Sequence, residues 1–534
     1  MSEEPDAAAP PTPVHGTSVP RGLEAGAASG RGRFGRMFEA LAPCDPTDAA
    51  IDALLRVMEG FGTTLGLNPR IPAGYTYLGQ FVDHDITFDP NSRLDTANDP
   101  AALANFRSPR LDLDSVYGSG PADQPYLYDW KGTSRNGAKR DAGVKLLVGR
   151  IAVGPASVKP TGRTEEEHAA DLVEAIDDVP RNSDGLALIG DPRNDEHEII
   201  SQLHLLFLRF HNRVVDWLID SGRDVGGAEL LQEAVRVVRW HYQWIVVHDF
   251  LKRICGATML AEVLKPTGEW PAVVRRHFRW EAQPYIPVEF SGAVYRFGHS
   301  MVRPSYAVQD TPAAGGRDPS PAAPARVNIL KLSRSRHPDQ HLTGFRPLIP
   351  ELVVDWPRFF EIDPAAPPQS SLRIDTGIAP RLSQLPNAIG AGRSLPRLNL
   401  MRGRALGLPS GQDVARAMGE RNPMTAAELF PVGIPNEVDE QTRRTLLRAT
   451  PLWYYILAEA ASARGENGLR LGPVGGRIVA EVLLGLIEGD PASYMSQAPA
   501  WIPEISGTAR FTMAELVTFT NSARPAATDA APPG

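Results

Sequence analysis

The chain has 534 residues with ordinary apolar (42%) and charged (22%) fractions, a formal charge of −8 and a pI near 5.9. That length allows one large domain or several average ones with a sizeable core, and the acidic balance argues against nucleic acid or an anionic membrane surface as the main partner. Two cysteines, Cys44 and Cys255, exclude a disulfide framework and any C-x-x-C metal or haem-attachment site.

The start, M-S-E-E-P-D-A-A-A-P, lacks a basic stretch followed by an apolar run, so no signal peptide is expected, and the chain reads as cytoplasmic or secreted by a leaderless route. No run of about 18 apolar residues suggests a membrane span. Composition assigns residues 1–35, rich in Pro, Ala, Gly and Ser, to a flexible leader and 523–534 to a flexible tail. The domain between them, 36–522, carries mostly helical periodicity. Ile51 to Phe61 is a short amphipathic segment, and after the breaks at Pro69 and Pro72 comes Y-L-G-Q-F-V-D-H-D-I-T-F-D-P, Tyr77 to Pro90. On a helix Gln80, Asp83 and His84 share one arc, while Asp85 points off it.

From Glu198, apolar residues at three-and-four spacing (Ile199, Leu203, Leu206, Phe207, Phe210, Val214, Leu218) predict a long, buried helix. Asp195 and Glu198 read as a relaxed capping box at its start. Ala228 to Ile254 predicts a second long helix, Gln309 to Arg326 a surface loop, and Asp413–Met418, Glu440–Arg464 and Gly475–Glu488 further helices. Strand signals are few and no internal repeat is found, so the fold class is mainly α.

Five separated segments carry candidate chemistry. They are G-Q-F-V-D-H-D (Gly79 to Asp85), S-P-R-L-D-L-D-S-V-Y-G-S (Ser108 to Ser119), G-D-P-R-N-D-E-H-E (Gly190 to Glu198), Y-R-F-G-H-S (Tyr295 to Ser300) and L-P-R-L-N-L-M-R (Leu395 to Arg402). In the second, Ser108, Asp112 and Asp114 alternate, and oxygens at alternate positions of an extended loop point to one side, as a hard cation requires. His204, His211, His241 and His248, seven apart on the two long helices, read as packing or capping residues, and His15, His168 and His337 have no role.

In order and approximate spacing the five segments resemble the animal-type haem peroxidases of the peroxidase-cyclooxygenase superfamily, over roughly residues 65 to 410. The resemblance implies a single large helical domain, a haem b cofactor and one calcium ion. His84 would be the distal histidine, Arg193 the distal arginine and Gln80 the distal glutamine. His299 would ligate the iron, with Asn399 accepting a hydrogen bond from its far ring nitrogen, and Arg296 and Arg402 would sit near the propionates. Asp83 and Glu196 match the carboxylates that form ester links to haem in mammalian members. His197 stands where one member has a methionine that makes a third link, so that link is not expected. For calcium the implied ligands are Asp85, Ser108, the carbonyl of Arg110, Asp112 and Asp114, the last a departure from the usual serine that adds charge.

The implied activity is reduction of hydrogen peroxide coupled to oxidation of halide, pseudohalide or small aromatic donors. Two alternatives stand beside it: a fatty-acid dioxygenase or cyclooxygenase-like enzyme, and a non-catalytic haem and calcium scaffold. Cyclooxygenases place a radical-forming tyrosine three residues before the iron-binding histidine; here that residue is Arg296, and Tyr295 is one position away. The oligomeric state and any pairing of Cys44 with Cys255 are left open by the sequence.

Overall fold

The computed structural model describes residues 32–60, 66–88, 104–135, 138–153, 174–223, 226–267, 270–280, 283–309, 326–329, 341–385, 394–498 and 500–522. The tail, the leader up to residue 31, the interior of the expected 309–326 loop, and His15, His168 and His337 lie outside them. Gly32–Gly35, assigned to the leader from composition, instead form a strand. It pairs in parallel with Ile286–Pro287 and antiparallel with Ala104–Asn105.

The helices expected from periodicity form, one of them broken, and Leu395–Ala405 and Met513–Asn521 are two that it does not mark. The long helices are α1 (Asp48–Gly60), α2 (Gly74–Ile86), α3 (Glu198–Asp220), α4 (Gly227–Ile245), α5 (Leu395–Ala405), α6 (Leu452–Ala461), α7 (Pro473–Glu488) and α8 (Met513–Asn521). The sheets among the described residues are two- or three-stranded. The expected helix over 440–464 is broken into Glu440–Arg448 and α6. Pro451 is the cause, because its ring pushes the preceding backbone out of the helical region.

The expected capping box at α3 does not form. His197 is the cap, its Nδ1 accepting from the Ile199 N–H (3.3 Å), while Asp195 is held by Arg181 (2.7 Å) and Glu198 by Arg346 (2.7 Å). Two partnered guanidiniums outbid backbone N–H groups for these carboxylates.

The core that holds α2 is aromatic. Phe81 stacks on Phe207 of α3 (4.7 Å between centroids, 6° between planes), and Tyr242 of α4 stands edge-on to both. α7 is buried on nearly all sides, as an almost wholly apolar sequence requires. The buried N-terminus of α7 has a glycine at its cap, and Glu459 of α6 reaches over to accept from the N–H groups of Val474 and Gly475, both at 3.1 Å.

α4 continues through a π-helical turn, Val246–Phe250, into Leu251–Ile254. The turn presents Asp249, which accepts from the Tyr75 hydroxyl of α2 (2.6 Å), Arg253 Nε (2.8 Å) and the Met513 N–H at the start of α8 (3.1 Å). Both cysteines are free thiols, and Cys255 is buried. No described helix is long and apolar enough to cross a membrane.

Truncating Phe81, which is wholly buried, removes the ring that joins α2 to α3 and α4. Phe81→Ala should lower stability by about 3–5 kcal/mol, read as the midpoint of urea unfolding. Leu186→Ser, at a position 60% exposed, should move that midpoint by no more than about 0.5 kcal/mol.

Candidate functional site: a cavity between two histidines

One cavity of about 420 Å³ is lined by residues from all the long segments singled out in sequence except the acidic loop. α2 contributes Tyr77, Gln80, Asp83 and His84. The turn before α3 contributes Arg193 and Glu196, and the segment 294–301 and α5 supply Tyr295, Arg296, His299 and Arg402. His84 and His299, more than two hundred positions apart, therefore face the same space. The helical arc expected for Gln80, Asp83 and His84 is the face of α2 that lines it, and Asp85 turns away into a separate cluster.

His84 is 5% exposed. Burial, with help from the nearby Arg193 charge, pulls its pKa down to about 4, so it is neutral at physiological pH. Its Nδ1 lies 2.8 Å from Asn194 Oδ1 and its Nε2 4.0 Å from Glu196 Oε1. Gln80 Nε2 donates to the same Glu196 oxygen (2.7 Å), and burial raises Glu196 to about 7 despite Arg193. Asp83 accepts from the Thr87 hydroxyl at 3.0 Å.

Arg193 is fixed on two sides. Nε and Nη2 bond Asp191 (3.1 and 2.7 Å), and Nη2 also donates to the carbonyls of His84 (3.0 Å) and Thr87 (2.6 Å). Nη1 makes no hydrogen bond to a described residue. Asp191, wholly buried, also receives Arg107 at 2.5 Å. Burial alone would raise its pKa, but the two guanidiniums hold the carboxyl well below its ordinary range.

On the opposite wall burial, together with Arg296 and Arg402, pulls His299 down to about 3, which keeps a neutral imidazole at the cavity. Asn399 lies 2.8 Å from its Nδ1, the proximity expected, but the amide presents Nδ2 to the ring. In this rotamer Asn399 donates; the expected polarity needs the amide turned by 180°, which leaves its outline unchanged. Arg296 gives Nε to the Ser291 carbonyl (2.8 Å), and burial beside Arg402 lowers its pKa to about 10. Tyr295 stacks on Phe290 (4.6 Å), and its buried hydroxyl has no partner among the described residues.

This donor set fits a haem. The volume is that of a cofactor pocket, a neutral imidazole is available to ligate a metal, and the half-buried guanidiniums of Arg296 and Arg402, both lining the cavity, suit a pair of carboxylates.

The acidic loop forms its own cluster. Carboxylate oxygens of Asp85, Asp112 and Asp114 lie within 4.8 Å of one another. Burial and the charges of Asp114 and Asp112 push Asp85 well above the carboxylate range, and burial, opposed by Arg107 and aided by Asp112, lifts Asp114 to about 7. Ser108 Oγ donates to Asp112 (2.9 Å), and Arg107 Nη1 to Asp114 (3.2 Å). Of Arg110 the defined contact is its side chain, Nε 3.9 Å from Asp490.

The expected extended alternation is not how these groups converge. Leu113, buried and left-handed (φ 58°, ψ 36°), turns the chain between Asp112 and Asp114, and Asp114 opens the short helix Asp114–Tyr117. A branched residue in that region is strained and persists only where its surroundings fix it.

Sequence reasoning missed Asp191, Asn194 and His204. Asp191 and Asn194 flank Arg193 inside a segment already singled out, and that adjacency was the available signal. His204, a packing residue by its spacing, has its Nδ1 3.1 Å from Asn194 Nδ2. The other three helical histidines do pack or bond locally: His211 to Tyr117 and the Val144 carbonyl, His241 to the Val237 carbonyl, His248 to Tyr494.

The family model described as animal haem peroxidase matches residues 92–490, beginning just after α2. The thyroid peroxidase of Sus scrofa is 26% identical over 409 residues, which cover 73% of this chain and 38% of that protein, so the chain spans well under half of this curated relative. Among solved structures, peroxidase A from Dictyostelium discoideum superposes with a TM-score of 0.60 at 17% identity, covering 92% of this chain and 93% of that one. The fatty acid alpha-dioxygenase of Arabidopsis thaliana gives 0.53 at 15% identity, covering 89% and 76%. Both structural likenesses speak to the fold, which is the mainly α peroxidase fold. With a family model spanning most of its length and a cavity whose donors suit the cofactor, the chain belongs to the animal haem peroxidase family.

Proposed function

We propose that the chain is a haem-dependent peroxidase that reduces hydrogen peroxide and oxidises halide, pseudohalide or small aromatic donors. The observation that carries this reading is the shared cavity of His84, Arg193 and His299. His299 would ligate the haem iron with Asn399 behind it, Arg296 and Arg402 would receive the propionates, and Asp83 and Glu196 are the carboxylates available for ester links. When bound, the haem supplies the redox chemistry.

The chain's own residues do the rest. His84, neutral, accepts a proton from one peroxide oxygen at Nε2 and returns it to the other as the O–O bond breaks, which is general acid–base catalysis. Arg193, locked on Asp191, holds fixed positive charge beside the oxygen on which negative charge grows. Gln80 and Glu196 border the same space and set its polar edge.

At the second cluster, Asp85, Asp112 and Asp114, with Ser108 and the carbonyl of Arg110, bind calcium. Three crowded acids, two of them, Asp85 and Asp114, pushed above the carboxylate range, are relieved by a divalent cation, and Asp85, following His84 in sequence, ties that ion to the end of α2. The dioxygenase alternative draws on the fold likeness and on the Tyr295 hydroxyl, which has no partner among the described residues, but Arg296 occupies the position three before His299.

His84→Ala should slow the peroxide step by about two to four orders of magnitude, with haem content unchanged, in stopped-flow spectra of the haem-loaded protein. An unaltered rate would remove His84 from the mechanism. Bromide, iodide, thiocyanate and phenols tested under peroxide identify the donor class, and oxygen uptake with a fatty acid and no peroxide would favour the dioxygenase.

Calcium should raise the thermal midpoint, with about 2.7 kcal/mol gained at a hundredfold excess over Kd. Asp85→Asn should erase that response, and a wild-type midpoint indifferent to calcium and chelator would eliminate the ion.

A further inference from the structure

A hydrogen-bonded row runs from the cavity into the protein between α2 and α3. Asn194, wholly buried, sets Oδ1 against His84 Nδ1 (2.8 Å) and Nδ2 against His204 Nδ1 (3.1 Å). His204 is also wholly buried, and its Nε2 meets no partner among the described residues. Asn194 belongs to the short 3-10 turn Pro192–Asp195, so the turn that delivers Arg193 to the cavity also delivers this amide to the back of His84.

An amide has one accepting end and one donating end, which couples the two rings. With Oδ1 toward His84, the His84 proton sits on Nδ1 and the Nε2 lone pair is free. With Nδ2 toward His204, that ring keeps its lone pair at Nδ1 and its proton at Nε2. Turning the amide over would reverse both tautomers, and His84 would then present an N–H and accept nothing at Nε2.

We propose that Asn194 is the positioning residue that fixes the proton-accepting tautomer of His84, and that His204 holds the amide in the orientation this requires. The burial of all three groups leaves little water to stand in for either bond, so the amide's orientation and the two ring tautomers are tied together. The inference deepens the peroxidase reading, which needs a lone pair at Nε2, and concerns a residue that itself touches neither peroxide nor haem.

The test reads the rings directly. In the full-length protein labelled with 15N-histidine, long-range proton–nitrogen correlations distinguish the two tautomers of each ring, and His84→Gln and His204→Leu assign the signals. The wild type should show a protonated Nδ1 at His84 and a protonated Nε2 at His204. Asn194→Asp keeps an acceptor for His84 but offers His204 no donor, so His84 should stay as it was while His204 moves its proton to Nδ1. Asn194→Leu should leave His84 a mixture of tautomers and, once haem is loaded to the wild-type level, slow the peroxide step by roughly 10- to 100-fold, the usual cost of losing a group that orients a functional imidazole. His204→Leu frees the amide and should bring the reversed His84 tautomer into view.

A wild-type His84 protonated on Nε2, or one still wholly Nδ1-protonated in Asn194→Leu, overturns the proposal. The tautomers are read without peroxide or haem. The expected pattern in a protein inert to peroxide would therefore sink the peroxidase reading and support this one.

Discussion

The carboxylate of Asp191 is the constraint on which both polar centres depend. It is wholly buried and has two guanidiniums on it, Arg193 reaching toward the cavity and Arg107 reaching toward Asp114. A buried charge is tolerable only when paired and hydrogen-bonded, and removing one member leaves the others uncompensated. Arg193 therefore cannot swing away from the cavity without stranding Asp191, and Arg107 cannot be drawn toward the acidic cluster without weakening the anchor of Arg193. The two centres, separate in sequence motif and in chemistry, share one electrostatic frame.

Inside the cavity each imidazole has an amide behind it, and the two amides are set oppositely. Asn194 turns its oxygen to His84 and Asn399 its nitrogen to His299. A neutral partner orients a ring without adding a charge to a dry site, where an unpaired carboxylate would be costly. The positive charge in the cavity comes from arginines held by fixed acceptors: Asp191 for Arg193 and a backbone carbonyl for Arg296.

Much of this was legible in the sequence because periodicity and motif order are local signals. The apolar stripe of α3, the arc of Gln80, Asp83 and His84, and the grouping of His299 with Asn399 could be read from spacing or resemblance. What was not legible depended on partners far along the chain. Asp195 looked like a helix cap until Arg181 claimed it, and Pro451 ended a helix that the apolar pattern alone would have continued. Leu113 is ordinary in composition, so nothing local marks its left-handed turn, and the convergence of Asp112 and Asp114 was attributed to the wrong geometry. His204 sits on an apolar face where a histidine is usually filler; only the fold brings it to the back of Asn194.

The π-helical turn has a consequence for how the protein is made. Asp249 needs a hydroxyl from Tyr75 and a backbone N–H from Met513, so the helix bearing His84 is anchored partly by residues more than four hundred positions later. Contacts of such sequence separation form slowly, because the chain between them must be ordered first. During synthesis, α2 emerges long before α8, and the Asp249 anchor is completed only when the segment around Met513 has left the ribosome.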